Sequence, residues 1–305
     1  MTGGAGFIGS HLVDALVARG DRVRVLDDLF SGSRANVPAG AQLVEGSVAD
    51  SDTVTAAVAG CEVVFHLAAH GAVARSLANP LASNEANVHG TLAVLTASRD
   101  AGVRRVVYAS SSSVYGGATT VPTPEDAQLR PRSPYAVSKL AGEWYTRVYG
   151  ELFALETVSL RYFNVFGPRQ RPDSTYAAVI PLFTRAVLRS EAPTVHGDGT
   201  QSRDFTYVAD VVAANLCAAT APASACNARA YNIAPGSNHT LLELLDALAT
   251  VTGNRPAPAF TEPRAGDVHR SQADATAARR DLAWSAQWTL LDGLRTTVDW
   301  MRDRA

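Results

Sequence analysis

Apolar runs of strand length recur through the first half of the chain, at Val23–Leu26, Leu43–Val44, Val63–Leu67, Val106–Ala109 and Thr157–Leu160. Between them lie stretches with helical spacing, among them His11 to Arg19 and Leu81–Ala101. Strands rich in β-branched residues, alternating with helices, predict an α/β chain built as a Rossmann-type, doubly wound parallel sheet. Tyr207–Ala219 and Tyr231–Ala234 carry the same helix and strand signatures and read as returns to that sheet. The expected division is therefore a nucleotide-binding domain over 1–165, rejoined by 207–235. A smaller, interleaved substrate region takes 166–206 and 236–305.

The glycine pattern Thr2-Gly3-Gly4-Ala5-Gly6-Phe7-Ile8-Gly9 runs directly into the first helical stretch. Glycines there permit a tight turn and let backbone N–H groups approach a pyrophosphate at a helix N-terminus. Asp27 closes the next strand, about 20 residues on, where a carboxylate accepts from the ribose hydroxyls of NAD. No Arg follows it to cradle a 2′-phosphate, so NAD is preferred over NADP. In this fold a central strand precedes the glycine turn, and here only Met1 and Thr2 do. The first strand therefore reads as truncated. We expect a start upstream of Met1, with a β-branched run of about five to eight residues before Thr2.

Composition narrows the class. The chain has 305 residues, 47% apolar and 18% charged, with a net charge of -2. That balance gives no electrostatic case for nucleic acid or an anionic membrane. Cys61, Cys217 and Cys226 have no metal-ligand spacing and read as reduced thiols of a cytoplasmic protein. No apolar run approaches the roughly 20 residues of a membrane span.

Of the 27 cationic side chains one is lysine, Lys139, in Tyr135-Ala-Val-Ser-Lys139. A position that keeps a compact ammonium where arginine serves everywhere else needs what a planar guanidinium cannot supply. Ser133 and Pro134 predict the start of a helix running to Tyr149. Residues four apart then share a face, so phenol and ammonium project together. A neighbouring cation favours the phenolate, which lowers a pKa near 10 and suits the Tyr to general-base work.

Further blocks complete the pattern: Ala109-Ser-Ser-Ser-Ser-Val-Tyr-Gly116, Leu160-Arg-Tyr-Phe-Asn-Val-Phe-Gly-Pro168, Gly197-Asp-Gly, Ser202-Arg-Asp-Phe205 and Arg264-Ala-Gly-Asp-Val268. Together they resemble the extended short-chain dehydrogenase/reductase family of nucleotide-sugar epimerases and dehydratases, over essentially the whole chain. The resemblance implies a catalytic Ser111, Tyr135 and Lys139. It implies NAD contacts at Gly3, Gly6, Phe7, Ile8, Asp27, Val48, Leu67, Ala68, Ala69, Asn87, Tyr135, Lys139 and Tyr162. Ser47 departs from the family's Asp at the adenine, although its hydroxyl retains one acceptor. For a UDP-sugar, the resemblance implies contacts at Ser111, Ser112, Ser113, Asn164, Ala178, Val179, His196, Arg203, Arg264, Asp267 and Ser271. His196 sits where the uracil packs. The arginines sit at the diphosphate, which a guanidinium fork suits.

The family's members share oxidation at C4 and differ in the fate of the 4-keto sugar. A dehydratase needs an acid and a base beside the Ser, and a decarboxylase of the family has Glu at position 113. Here Ser112 and Ser113 occupy those places and do neither job at neutral pH. The expected outcome is 4-epimerisation. Ser271 leaves room for an N-acetyl group at C2, and this segment together with Tyr176–Pro181 looks most like bacterial UDP-N-acetylglucosamine 4-epimerases. UDP-glucose is a second candidate substrate and UDP-glucuronate a third. A dehydratase or decarboxylase ranks below these because Ser112 and Ser113 stand where its carboxyl groups would, and a non-catalytic NAD-binding regulator because both Tyr135 and Lys139 are present. A homodimer is implied by resemblance.

Overall fold

The computed structural model describes residues 1–117, 120–173, 177–263 and 268–304. In order the elements are α1 (Phe7–Ala18), β1 (Val23–Asp27), β2 (Ala41–Glu45), α2 (Ser51–Val58), β3 (Val63–His66), α3 (Val73–Ala78), α4 (Pro80–Asn84), α5 (Gly90–Asp100), β4 (Arg105–Ser111), α6 (Pro134–Leu152) and β5 (Glu156–Tyr162). There follow β6 (Val165–Phe166), α7 (Val179–Leu188), β7 (Thr194–His196), β8 (Ser202–Arg203), β9 (Thr206–Tyr207), α8 (Val208–Thr220), α9 (Ala223–Cys226) and β10 (Arg229–Ile233). The chain finishes with β11 (His239–Thr240), α10 (Leu241–Thr252), β12 (Ala259–Thr261), α11 (Thr276–Leu282) and α12 (Leu290–Arg302).

All five apolar runs become strands of one parallel sheet. Its order is β2, β1, then Thr2, then β3, β4, β5 and β10. Each strand sends alternate residues to opposite faces. Val23, Val25, Phe65, Val107 and Ala109 pack under α1 and α8. Leu26, Val64 and Val106 pack under α2 and α5 on the other face. Two cores thus sandwich the sheet, as a doubly wound sheet requires.

Between β1 and β3 the chain places Met1 and Thr2. Thr2 bridges Leu26 and His66 in parallel, its N–H donating to Phe65 O at 2.9 Å. The glycine turn is thereby anchored at the centre of the sheet by two residues.

Two expectations need correction. The helix expected over Leu81–Ala101 is interrupted: Glu85–His89 forms a π-helical turn between α4 and α5. Such turns widen a helix by one residue and cluster at functional sites. Secondly, not all of 236–305 lies with the substrate region. Ala275, Ala278, Leu282 and Trp284 join the core beneath α8 and β10, because the apolar side of α11 covers the last strand. A third cluster gathers Phe166, Phe183, Leu244, Leu248, Leu294 and Val298 from β6, α7, α10 and α12. Among the described residues no helix is long and apolar enough to cross a membrane.

Candidate active site

α6 begins where its sequence places it. Ser133 Oγ accepts from Ala136 N at 3.1 Å and Pro134 fills the first turn. This places Tyr135 in the first turn of the helix and Lys139 one turn further on, 4% exposed. Opposite them β4 ends in consecutive serines that face opposite ways. Ser110 Oγ donates to Glu143 at 2.6 Å on the buried side, while the Ser111 hydroxyl lies beside the Tyr135 phenol and favours its phenolate. Ser111 Oγ also accepts from Ser113 N at 3.2 Å, which tightens the turn beyond the strand. The three residues named for catalysis are therefore brought together.

One electrostatic expectation is reversed. Lys139 does not draw the phenol down: burial raises Tyr135, and only the Ser111 hydrogen bond opposes it. The ammonium instead donates to Ala109 O at 2.9 Å and lies 5.1 Å from the Tyr108 ring centroid. Burial lowers Lys139 to about 8, which leaves its ammonium the predominant form at neutral pH.

Behind the site, Arg161 on β5 meets Glu143 in a buried ion pair, with Nε to Oε2 at 3.0 Å and Nη2 to Oε1 at 2.6 Å. Arg161 also donates to the Tyr115 hydroxyl, and that hydroxyl to Asn232 on β10. This cluster fixes α6 against β4 and β5 from below.

The glycine turn fits a dinucleotide. Gly3 sits at φ +71°, and a Cβ there would come within 2.6 Å of Ala68 N. A Cβ at Gly9 would lie 2.0 Å from Gly3 O, so helix and turn meet there only because Gly9 lacks a side chain. No side chain caps α1 at Gly6, which leaves the N–H groups about Phe7 and Ile8 facing outward for an anion. Asp27 takes N–H bonds from Ala5 at 2.8 Å and Leu29 at 2.9 Å, one on each oxygen. Each oxygen keeps a further lone pair for a ribose hydroxyl. Burial raises this carboxyl and the two backbone bonds oppose the rise. Leu67, Ala68 and Ala69 form the loop after β3, partly exposed beside the turn.

Other cofactor residues are placed less openly. Val48 is buried with Leu26 and Val54 in the core. Ser47 Oγ accepts from Ala49 N at 3.1 Å. The Tyr162 hydroxyl is bound to Asn215 on α8 and held in the core. Asn87, inside the π turn, accepts from His70 N at 2.7 Å and donates to Ser138 Oγ at 2.9 Å.

A histidine with no sequence motif joins these parts. His66 Nδ1 meets Thr2 Oγ1 at 2.7 Å and its Nε2 meets Thr91 Oγ1 at 2.9 Å. Thr91 donates its proton to Asn87 O, so Nε2 carries the ring proton and Nδ1 accepts from Thr2. Burial lowers His66 to about 3, so it stays neutral. With Asn87 bonded to Ser138, and Ser138 Oγ donating to Tyr135 O at 2.8 Å, a chain of hydrogen bonds runs from the glycine turn to the base-bearing helix. Nothing in a lone strand histidine signals this.

Of the substrate residues, Asn164 sits at φ +34° and donates to Asp204 O at 3.1 Å. Ala178 and Val179 open α7, whose N-terminus has no side-chain cap. His196 Nδ1 meets Thr261 Oγ1 at 2.8 Å on the edge of β7. Arg203 donates to Ser202 O at 2.9 Å, and Ser271 N donates to the same carbonyl at 3.1 Å, so both gather at β8. Among the described residues the buried Ser113 hydroxyl has no hydrogen-bond partner, as a group waiting for a ligand would be. Arg264 and Asp267 lie outside the described residues.

A glycine turn feeding an uncapped helix, an acid at the end of the next strand, and a Ser–Tyr pair with a buried Lys define a dinucleotide-dependent enzyme of the short-chain dehydrogenase/reductase kind. The chain belongs to the NAD dependent epimerase/dehydratase family, whose model matches residues 1–234. A UDP-glucose 4-epimerase of Mycolicibacterium smegmatis is 40% identical over 312 residues, covering 100% of this chain and 98% of that protein. The UDP-glucose 4-epimerase of Thermotoga maritima, solved with UDP-glucose, superposes with a TM-score of 0.95 at 37% identity, over 99% of this chain and 98% of its own. A UDP-N-acetylglucosamine 4-epimerase from Methanobrevibacter ruminantium M1, in complex with UDP-N-acetylmuramic acid, gives a TM-score of 0.95 at 36% identity, over 100% and 97%.

Proposed function

We propose that this protein is an NAD-dependent isomerase that inverts C4 of a UDP-sugar, with UDP-N-acetylglucosamine and UDP-N-acetylgalactosamine as its principal pair and UDP-glucose and UDP-galactose as a second. The observation that carries the reading is the Ser111 hydroxyl set beside the Tyr135 phenol, where it favours the phenolate, at the head of a turn of serines. A proton acceptor is in place for O4, and positions 112 and 113 hold no carboxyl to expel a substituent. The bound dinucleotide supplies the hydride acceptor and donor. Tyr135 takes the O4 proton at its phenolic oxygen and later gives one back, while Ser111 holds phenol and O4 in line. Lys139 acts from behind with its compact charge, and the Ser113 hydroxyl serves the sugar. Incubation with UDP-GlcNAc, UDP-Glc and UDP-GlcA separately, with products resolved by NMR, tests this. Absence of any C4 epimer sinks it, and inversion of UDP-GlcA alone moves the substrate to the uronate.

Ser271 sets the room at C2 in this reading. Ser271→Tyr is expected to lower kcat/KM for N-acetylated sugars at least about tenfold while sparing UDP-glucose, since a ring fills the space of the acetamido group. Equal loss on both substrates removes Ser271 from that role.

The working unit is a homodimer in the same reading. Along α6, Val137, Trp144, Val148 and Leu152 form one outward stripe, continued by Leu77 and Leu81 on α3 and α4. Leu81 is 81% exposed and Trp144 57%. An apolar face of this extent marks an interaction site, and a second copy presents the same face. Light scattering is expected to give twice the chain mass, falling to the monomer in Leu81→Glu/Trp144→Glu. The three free thiols suit a reducing cytoplasm.

A further inference from the structure

Two loops leave the carboxyl ends of β1 and β3, the strands on either side of Thr2. At their roots both touch the glycine turn. The first is tied there by Ser33 N and Asn36 Nδ2, which donate to Ala5 O at 3.0 and 2.9 Å. The second passes close to Gly3 through Leu67 and Ala68. The parent strands stand two strand spacings apart, about 10 Å, yet the tips of the loops meet. Phe30 and His70 stack with ring centroids 4.2 Å apart and planes 24° from parallel. The Arg75 guanidinium lies over the Phe30 ring at 5.0 Å from its centroid.

Both tips are braced. Asp28 accepts from Phe30 N at 3.0 Å, and Asn87 holds the His70 backbone by both its N–H and its carbonyl. Leu29 and Ala72, beside the two rings, adopt φ of +57° and +80°. Left-handed backbone is costly for residues with a Cβ, and such strain collects where a conformation serves a function. Phe30 is 55% exposed, so its stack contributes little to the core. Glycine turn, two loops and ring pair close a circuit at the mouth of the nucleotide crevice.

We propose that Phe30 and His70, with Arg75 laid on the pair, are a cofactor-retaining clasp. With NAD seated against the glycine turn, the rings close over it, and release requires them to part. The inference rests on NAD being the cofactor. It also explains a requirement of the proposed chemistry: the dinucleotide that takes the hydride must still be present to return it.

Release is measured on the NAD-loaded protein, freed of excess cofactor, by trapping liberated NAD with alcohol dehydrogenase and ethanol and following NADH absorbance. Phe30→Ala and His70→Ala are each expected to release NAD about tenfold faster than wild type. His70→Phe, which keeps a ring to stack, is expected to release slowly. Because Phe30 lies at the surface, Phe30→Ala without NAD should melt as the wild type does, which separates loss of the clasp from loss of the fold. Wild-type release from both alanine variants overturns the clasp, as does fast release from His70→Phe. A wild-type protein that takes up no NAD overturns the cofactor reading, and the clasp falls with it.

Discussion

Tyr135→Phe is expected to lower kcat by about 10²–10⁴-fold, the usual share of a general base, while NAD still binds. The ring stays and only the oxygen goes, so α6, its Ser133 cap and the Asn87 contact to Ser138 are undisturbed. The wild-type pH profile gives the sign. The phenol serves as a base once deprotonated, and burial raises its pKa. Activity should therefore climb with pH toward the alkaline side, and the residual rate of the variant should lack that limb. Lys139→Arg is expected to be nearly as damaging although the charge is kept. The ammonium sits in a closed space against Ala109 O and the Tyr108 ring, and a planar fork is both larger and differently shaped. Rates near wild type in either variant would remove the mechanism.

The second large effect concerns stability. Glu143→Ala should destabilise the protein by about 3–5 kcal/mol, the cost of leaving one member of a buried ion pair alone. Arg161 would lose its three bonds to the carboxylate, and Ser110 would lose its acceptor, in a place where the two charged side chains are 5% and 6% exposed. Urea unfolding followed by circular dichroism measures the loss. A change below about 1 kcal/mol, the range of exposed pairs, would mean that water reaches Arg161 once the carboxylate is gone. Catalysis should suffer too, since β4 and α6 carry Ser111 and Tyr135 on the same two elements.

How far the sequence is readable depends on the distance over which each feature is encoded. The strands are encoded locally. Val23, Val25 and Leu26 alternate between two cores because successive side chains on a strand point apart, and an apolar run announces that directly. The Tyr135–Lys139 face is local as well, a four-residue spacing on a helix whose cap is written at Ser133. The π turn at Glu85–His89 is invisible, because its residues suit an ordinary helix and only the packing of Asn87 against His70 and Ser138 demands the extra residue. Glu143 and Arg161 lie 18 residues apart on a helix and a strand, and no spacing rule joins them. The upward shift of Tyr135 escapes the sequence for a related reason. Adjacency along a helix predicts a Coulomb effect, whereas desolvation depends on what the rest of the chain stacks above the group.

His66 has a comparative consequence. Its ring accepts a hydrogen bond from Thr2 on one side and donates one to Thr91 on the other, with all three residues buried. The wiring has a direction, and that direction is fixed at the far end by the Asn87 carbonyl. A relative with an apolar residue in place of His66 would leave the buried Thr2 hydroxyl proton without its acceptor, at about 1–3 kcal/mol, while Thr91 would keep its bond to the Asn87 carbonyl. Positions 2 and 66 should therefore drift together among homologous chains, as a pair inherited or replaced whole. A sequence that pairs an aliphatic residue at 66 with threonine at 2 should be rare.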